Sequence, residues 1–263
     1  MEAISIVRMS SIISSEFGRI PRKLHLIWIG DAYKRPDRSI SSWRDNHPDW
    51  QFRLWTDEDL RKRSWINGTH LNAFLKARDW SAAADLMRYE ILYREGGVYA
   101  DADSFSVRPL GGWLLECEMF ACWENTLATG RARLVSNAFL GSVPANPFLR
   151  YLIDTIGRRR DQFQRWSWSR MKRVRMGAWK SVGPYRLTKC IYDYESLGYH
   201  AISILPSHMF CPNHYSGKRY NGRGLVYADH RWASTRKSYH ELSENVEPDG
   251  QASRLLQKED VTG

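Results

Sequence analysis

The chain has 263 residues and a formal net charge of +10, long enough for one α/β domain, or one domain with an appended lobe. Its hydrophobic share of 43% is ordinary for a globular protein and argues against wholesale disorder. No run approaches the roughly 18 apolar residues that span a bilayer, and the start, with Arg8 and a mixed Ile/Ser stretch, lacks the apolar centre of a signal peptide. Cys117, Cys122, Cys190 and Cys211 show neither CxxC spacing nor paired histidines, which speaks against a zinc site and for reduced thiols in a cytosolic protein.

In chain order, residues 24–29 are a nearly continuous apolar run, the mark of a strand in a buried parallel sheet. A short helix over 39–46 and a strand over 51–55 follow, and Thr56 with Asp59 makes a capping-box start for another helix. Residues 81–95, rich in Ala and Leu, form a helix stopped by Gly96-Gly97. Strands are expected at 98–100, 119–123, 138–140, 202–205 and 225–228, and helices at 148–156 and 185–194, the second with Pro184 at its favoured first position. Strands alternating with helices imply a doubly wound sheet, whose ligands bind beyond the carboxyl ends of the strands.

Asp101-Ala102-Asp103 follows the third strand. Two acids at i and i+2 on an extended segment face one side. Hard oxygen ligands of this kind hold Mg²⁺ or Mn²⁺, leaving other positions for phosphate oxygens and water; the diphosphate of a nucleotide sugar fits. Alone the triplet is weak, since it also occurs in calcium loops and solvated turns. Winding the preceding helix at about 100° per residue puts Glu90 and Arg94 on one narrow polar face and Asp85 and Arg88 on the other side, flanked by Tyr89 and Leu92. Inward charges are costly unless paired or engaged with a ligand. Asp85 and Arg88 are either an i, i+3 pair that pins the helix or part of a site; the acidic triplet thirteen residues beyond Arg88 favours the site.

The run from Ile20 through Leu24-His25-Leu26-Ile27-Trp28-Ile29-Gly30, then Trp43, Pro48-Asp49-Trp50, Leu54-Trp55, Asp85-Leu86-Met87-Arg88-Tyr89 and Gly96-Gly97-Val98-Tyr99-Ala100-Asp101-Ala102-Asp103, resembles glycosyltransferase family 32. That family has a DXD-type sugar-binding region and includes the yeast initiating alpha-1,6-mannosyltransferases; a more distant similarity reaches the glucosylating clostridial toxins. Asn137-Ala138-Phe139-Leu140-Gly141-Ser142, Gly183-Pro184-Tyr185 and Tyr227-Ala228-Asp229-His230-Arg231-Trp232 carry the resemblance on to about residue 235. It implies a GT-A-like, doubly wound mixed sheet flanked by helices. It also implies retaining hexosyl transfer from a UDP- or GDP-sugar with Mn²⁺ or Mg²⁺ as cofactor.

By the same resemblance Asp85 and Arg88 hold the transferred sugar's hydroxyls, and Asp101 and Asp103 bind the metal. Trp28 and its neighbours Ile29 and Gly30 lie against the nucleotide, with Tyr89, Gly97, Asn137 and Trp232 completing the donor-contacting set. His230 is the candidate third metal ligand. A core role for Trp28 and a structural one for His230 are the alternatives. The chain departs from the family in two ways: the yeast members carry a transmembrane anchor, and Ser234 is followed by Thr235 where relatives have a Ser-Trp pair.

Between 158 and 180, Arg158, Arg159, Arg160, Arg165, Arg170, Lys172, Arg173, Arg175 and Lys180 are interleaved with Trp166, Trp168 and Trp179, opposed only by Asp161. This reads as a basic helical insertion over about 157–180. It is either a solvated helix face or an acceptor surface for something anionic. Lipopolysaccharide core, a phosphorylated glycan, a membrane face contacted peripherally, and nucleic acid (as for viral enzymes that glycosylate bases) all qualify. From Glu241 onward six acids face two bases, leaving +14 for residues 1–240.

The chain thus divides into an extension at 1–19, a transferase domain at 20–240 and an acidic tail at 241–263, in a cytoplasmic protein of bacterial or viral type. Two other classes compete. A metal-dependent nuclease or phosphohydrolase would use the paired acids but not the Asp85/Arg88 helix or Trp28; a non-catalytic binding protein would use neither.

Overall fold

The computed structural model describes residues 20–124, 126, 134–159, 164–167, 172–200, 202–236, 238–239 and 242. At 164–167 and 172–175 only the backbone is described, and the side chain of Ser234 is not. The 1–19 extension, nearly all of the acidic tail and most basic side chains of the 157–180 segment lie outside the described residues.

Strands β1 (Lys23–Ile27), β2 (Gln51–Trp55), β3 (Gly97–Ala100), β5 (Met119–Trp123), β6 (Val135–Ser142) and β9 (Ser203–Leu205) form the central sheet. Its order is β2-β1-β3-β6-β5-β9. Only the pairings to β6 are antiparallel. The carboxyl ends of β1, β2, β3 and β5 therefore open at one edge, beside the amino end of β6. This is the mixed, helix-flanked sheet expected.

Period-two alternation sorts the strands into two layers. Leu24, Leu26, Val98, Ala100 and Phe120 point toward Trp43, Phe139 and Phe210. Ile27, Tyr99, Met119 and Ala121 point toward Leu86, Phe148, Leu152 and Ile191. The helices are α1 (Asp37–Asn46), α2 (Asp57–Lys62), α3 (Gly68–Lys76), α4 (Trp80–Glu95), α5 (Pro147–Gly157), α6 (Ala178–Ser181), α7 (Pro184–Ser196) and α8 (Ala233–Arg236). None among the described residues is long and apolar enough to cross a membrane. The capping box of Thr56 and Asp59 is present at α2, and all four cysteines are free thiols.

Helix α4 positions the site. Asp79 caps its start by accepting from the backbone N–H of Ala82. Its end needs the glycine pair: Gly96 and Gly97 both have positive φ, and a Cβ at Gly97 would stand 2.7 Å from the Lys23 carbonyl. The narrow polar face expected for Glu90 is absent. Glu90 is fully buried and accepts from the backbone N–H groups of Ile66 (2.6 Å) and Asn67 (2.8 Å). It thereby satisfies donors at the approach to α3.

Other expectations shift. The strand expected at 138–140 runs over Val135–Ser142, and that at 225–228 becomes β10 (Ala228–His230), paired antiparallel with β4 (Ser104–Ser106). Where a helical insertion is expected, the described residues of the basic segment include β7 (Gln164–Ser167) and β8 (Lys172–Arg175), which pair antiparallel. Trp166 and Trp168, two apart, already follow strand rather than helix spacing.

Candidate active site

A cleft of about 530 Å³ opens at the sheet edge where β1, β3, β5 and β6 meet. Trp28, Ile29, Asp85, Arg88, Asp101, Asp103, Asn137, His230 and Trp232 all line it.

The two aspartates converge through a turn, not through an extended strand as expected. The backbone N–H of Ser104 donates to the Asp101 carbonyl at 3.1 Å, the i to i+3 bond of a β-turn. The reversal leads into β4, where Ser104 faces His230 of β10. Two further bonds fasten this corner: the Ala233 N–H donates to Asp103 Oδ2 at 2.8 Å, and the Arg231 N–H to the Asp103 carbonyl at 3.1 Å. His230 Nε2 then lies 3.4 Å from Asp101 Oδ2 and 3.3 Å from Asp103 Oδ1.

One donor atom from each of Asp101, Asp103 and His230 falls within 4.8 Å of the others. Nδ1 of His230 is buried without a hydrogen-bond partner, while Nε2 is turned to the two carboxylates. Two carboxylates and one imidazole suit Mn²⁺ or Mg²⁺, so the residues present fit such an ion. Burial works against the charged imidazole, yet Asp103 and Asp101 outweigh it and hold its pKa well above the ordinary value. Burial likewise opposes ionisation of Asp101, but Arg88, His230 and the Tyr99 hydroxyl together outweigh it and the pKa is lowered.

Arg88 forms the back wall. Its Nη2 lies 2.8 Å from Asp85 Oδ1 and its Nη1 3.1 Å from Asp101 Oδ1. Nη1 also donates to the Asn137 carbonyl at 2.6 Å, and the guanidinium carbon sits 4.4 Å over the Tyr99 ring. The Tyr99 hydroxyl donates to Asp101 Oδ1 at 2.7 Å. Asn137 Nδ2 donates to Asp85 Oδ1 at 2.8 Å. Burial, only partly offset by Arg88, pushes the Asp85 pKa up to about 6.

Trp28 lines the cleft, half-buried where it packs on the core layer. Its indole N–H donates to the Asp31 carbonyl at 3.0 Å, and its ring meets Tyr239 edge-on at 5.1 Å. Trp232 has φ of +58°, costly for a bulky residue. The bend lets its indole N–H donate to the Asn213 carbonyl at 2.8 Å while the ring stands edge-on to His230 at 4.5 Å.

Three of the expected donor contacts lie elsewhere. Gly97 is at the opposite end of β3 from Asp101, packed on Lys23 and His25. Tyr89 is fully buried one layer back, donating to the Val182 carbonyl at 2.9 Å. Gly30 sits behind Trp80 and donates its N–H to Asp57 Oδ2 at 3.0 Å. Trp179 of the basic segment also lines the cleft, as do Trp80 and Glu124, which no motif in the sequence marks. Glu124 follows β5 directly, so the rule that marks Asp101, an acid just past the carboxyl end of a strand, finds it too. Burial pushes its pKa up to about 7.

Residues 34–120 match the family model described as "Glycosyltransferase sugar-binding region containing DXD motif". The chain carries a DXD-type glycosyltransferase region. The class of activity that goes with it is glycosyl transfer. Inositol phosphoceramide mannosyltransferase 1 of Schizosaccharomyces pombe is 26% identical over 235 residues, covering 84% of this chain and 68% of that protein. Mannosyl phosphorylinositol ceramide synthase CSH1 of Saccharomyces cerevisiae is 36% identical over 117 residues, 43% of this chain and only 28% of that protein. The solved structure "PaToxG Glycosyltransferase" superposes with a TM-score of 0.51 at 18% identity, covering 73% of this chain and 76% of that one. It shares the fold.

Proposed function

We propose that the chain is a divalent-cation-dependent, retaining hexosyltransferase. It takes a UDP- or GDP-sugar as donor and a hydroxyl on an anionic glycan or glycolipid headgroup as acceptor. The observation that carries this reading is the convergence of Asp101, Asp103 and His230 in a cleft that Trp28 and Asp85 also line. Asp101, Asp103 and His230 would hold the cation, which when bound supplies positive charge against the departing diphosphate.

The chain's own residues orient the donor around that point. Trp28 offers a face to the base. Arg88 keeps Asp101 ionised and, with Asn137, fixes Asp85 Oδ1. The remaining Asp85 oxygen is left for the transferred sugar's hydroxyls. The anionic acceptor rests on the positive net charge, with support from relatives whose names specify inositol phosphoceramide.

A thermal-shift panel of UDP- and GDP-sugars with and without Mn²⁺ tests the donor. Turnover in Asp103→Asn tests the site, because an amide still accepts from Ala233 N–H but is a poor cation ligand. Stabilisation by one donor only with Mn²⁺, and loss of transfer in the variant, are expected. Full activity in the variant or in excess chelator would refute the reading.

A further inference from the structure

Glu124 carries a second acid to the same edge. β3 and β5 flank β6 and run antiparallel to it, hence parallel to each other. Asp101 and Glu124, each just past its strand, therefore leave the sheet side by side with the start of β6 between them. Across that edge the order is Trp28 after β1, Asp101 after β3, Asn137 on β6 and Glu124 after β5. If base, diphosphate and sugar follow the first three, Glu124 stands where the acceptor's hydroxyl must arrive.

Its environment fits that place. Glu124 lines the cleft, yet its Oε2 is shielded from solvent and has no hydrogen-bond partner. A buried carboxylate oxygen without a donor is costly, and an incoming hydroxyl would remove the deficit. The backbone is held firm, with the Glu124 N–H donating to the Leu134 carbonyl at 2.8 Å. Glu124 stands outside the Asp101, Asp103 and His230 group, feeling the charges of His230 and Asp101 without joining it.

We infer that Glu124 is a further catalytic residue, whose carboxylate takes the proton of the acceptor hydroxyl during transfer. This rests on the reading proposed above. The bond from the anomeric carbon to the diphosphate oxygen breaks, the nucleoside diphosphate taking the electron pair, and the hydroxyl oxygen bonds to that carbon on the face the diphosphate leaves, so that configuration is kept. The hydroxyl proton passes to Glu124, which returns it to solvent as the products depart.

The test measures nucleotide release from the donor that gives the largest Mn²⁺-dependent thermal shift, with water as acceptor. Glu124→Ala and Glu124→Gln should each lose about 10²-fold in rate and keep the parent's Mn²⁺-dependent shift. Sodium formate should restore at least a tenfold gain to Glu124→Ala, where space is opened, and nothing to Glu124→Gln. A rate within threefold of the parent in either variant, loss of the shift together with the rate, or no formate rescue would overturn the inference. If the parent itself neither binds nor cleaves any nucleotide sugar, the hexosyltransferase reading has failed instead.

Discussion

The guanidinium of Arg88 stands 3.1 Å from the Asp101 carboxylate, which it approaches from the buried side of the cleft. The same group lies 2.8 Å from Asp85, so one cation on α4 serves two acids. Arg88→Met would leave Asp85 without its counter-charge and Asp101 with His230 alone. Breaking a buried pair in this way costs about 3–5 kcal/mol, to be read from the urea midpoint. Arg88→Lys should recover only part of it, because a point ammonium cannot span two acceptors and a carbonyl.

Removing a metal ligand should separate function from stability. Asp101→Asn and Asp103→Asn are each expected to lower turnover about 10²–10³-fold, and Asp103→Asn, which leaves the Arg88 pairs intact, with little change in unfolding midpoint. Excess chelator should reproduce the loss in the parent, and added Mn²⁺ should reverse it. Activity that survives extensive chelation would count against the site.

Trp28 is tied down by its bond to the Asp31 carbonyl and by Tyr239, so its ring is preset. Trp28→Ala should raise the donor KM about tenfold, roughly 1.4 kcal/mol of aromatic contact, and leave kcat nearly unchanged. A fall in kcat with constant KM would assign Trp28 to the reaction rather than to binding.

Stability should depend on pH through His25. Its Nε2–H donates to the Gly96 carbonyl at 2.9 Å and its Nδ1 accepts from the Trp55 indole at 3.2 Å, an arrangement only the neutral ring makes. Burial, ahead of every other influence, lowers its pKa to about 4. Between about pH 6.5 and 4 the unfolded chain binds the proton and the folded one does not, so stability is full above 6.5 and falls as pH drops toward 4. The loss amounts to about 3 kcal/mol. Subtracting the pH profile of His25→Gln from that of the parent isolates it.

Local rules made much of this legible. The continuous apolar run of β1, the Thr56/Asp59 cap and the Gly96-Gly97 stop each depend on neighbours within a few residues, and each stands in the structure within two residues of where the sequence puts it. The turn at Asp101 was read as extended chain because an i+2 spacing looks alike in both; only the Ser104 bond tells them apart. Glu90 was read as solvent-facing because its partners, Ile66 and Asn67, lie a whole element upstream. The basic hairpin was missed because its charge overshadowed the two-residue spacing of Trp166 and Trp168. Glu124 went unnoticed because a single acid without a companion carries no motif.

The corner that binds His230 to Asp103 joins segments 130 residues apart. During vectorial synthesis the sheet strands and Asp101 emerge well before β10, and a nascent chain at that stage has two repelling carboxylates and no imidazole to complete them. The cluster of Asp101, Asp103 and His230 is therefore completed last, when the late strand docks on β4.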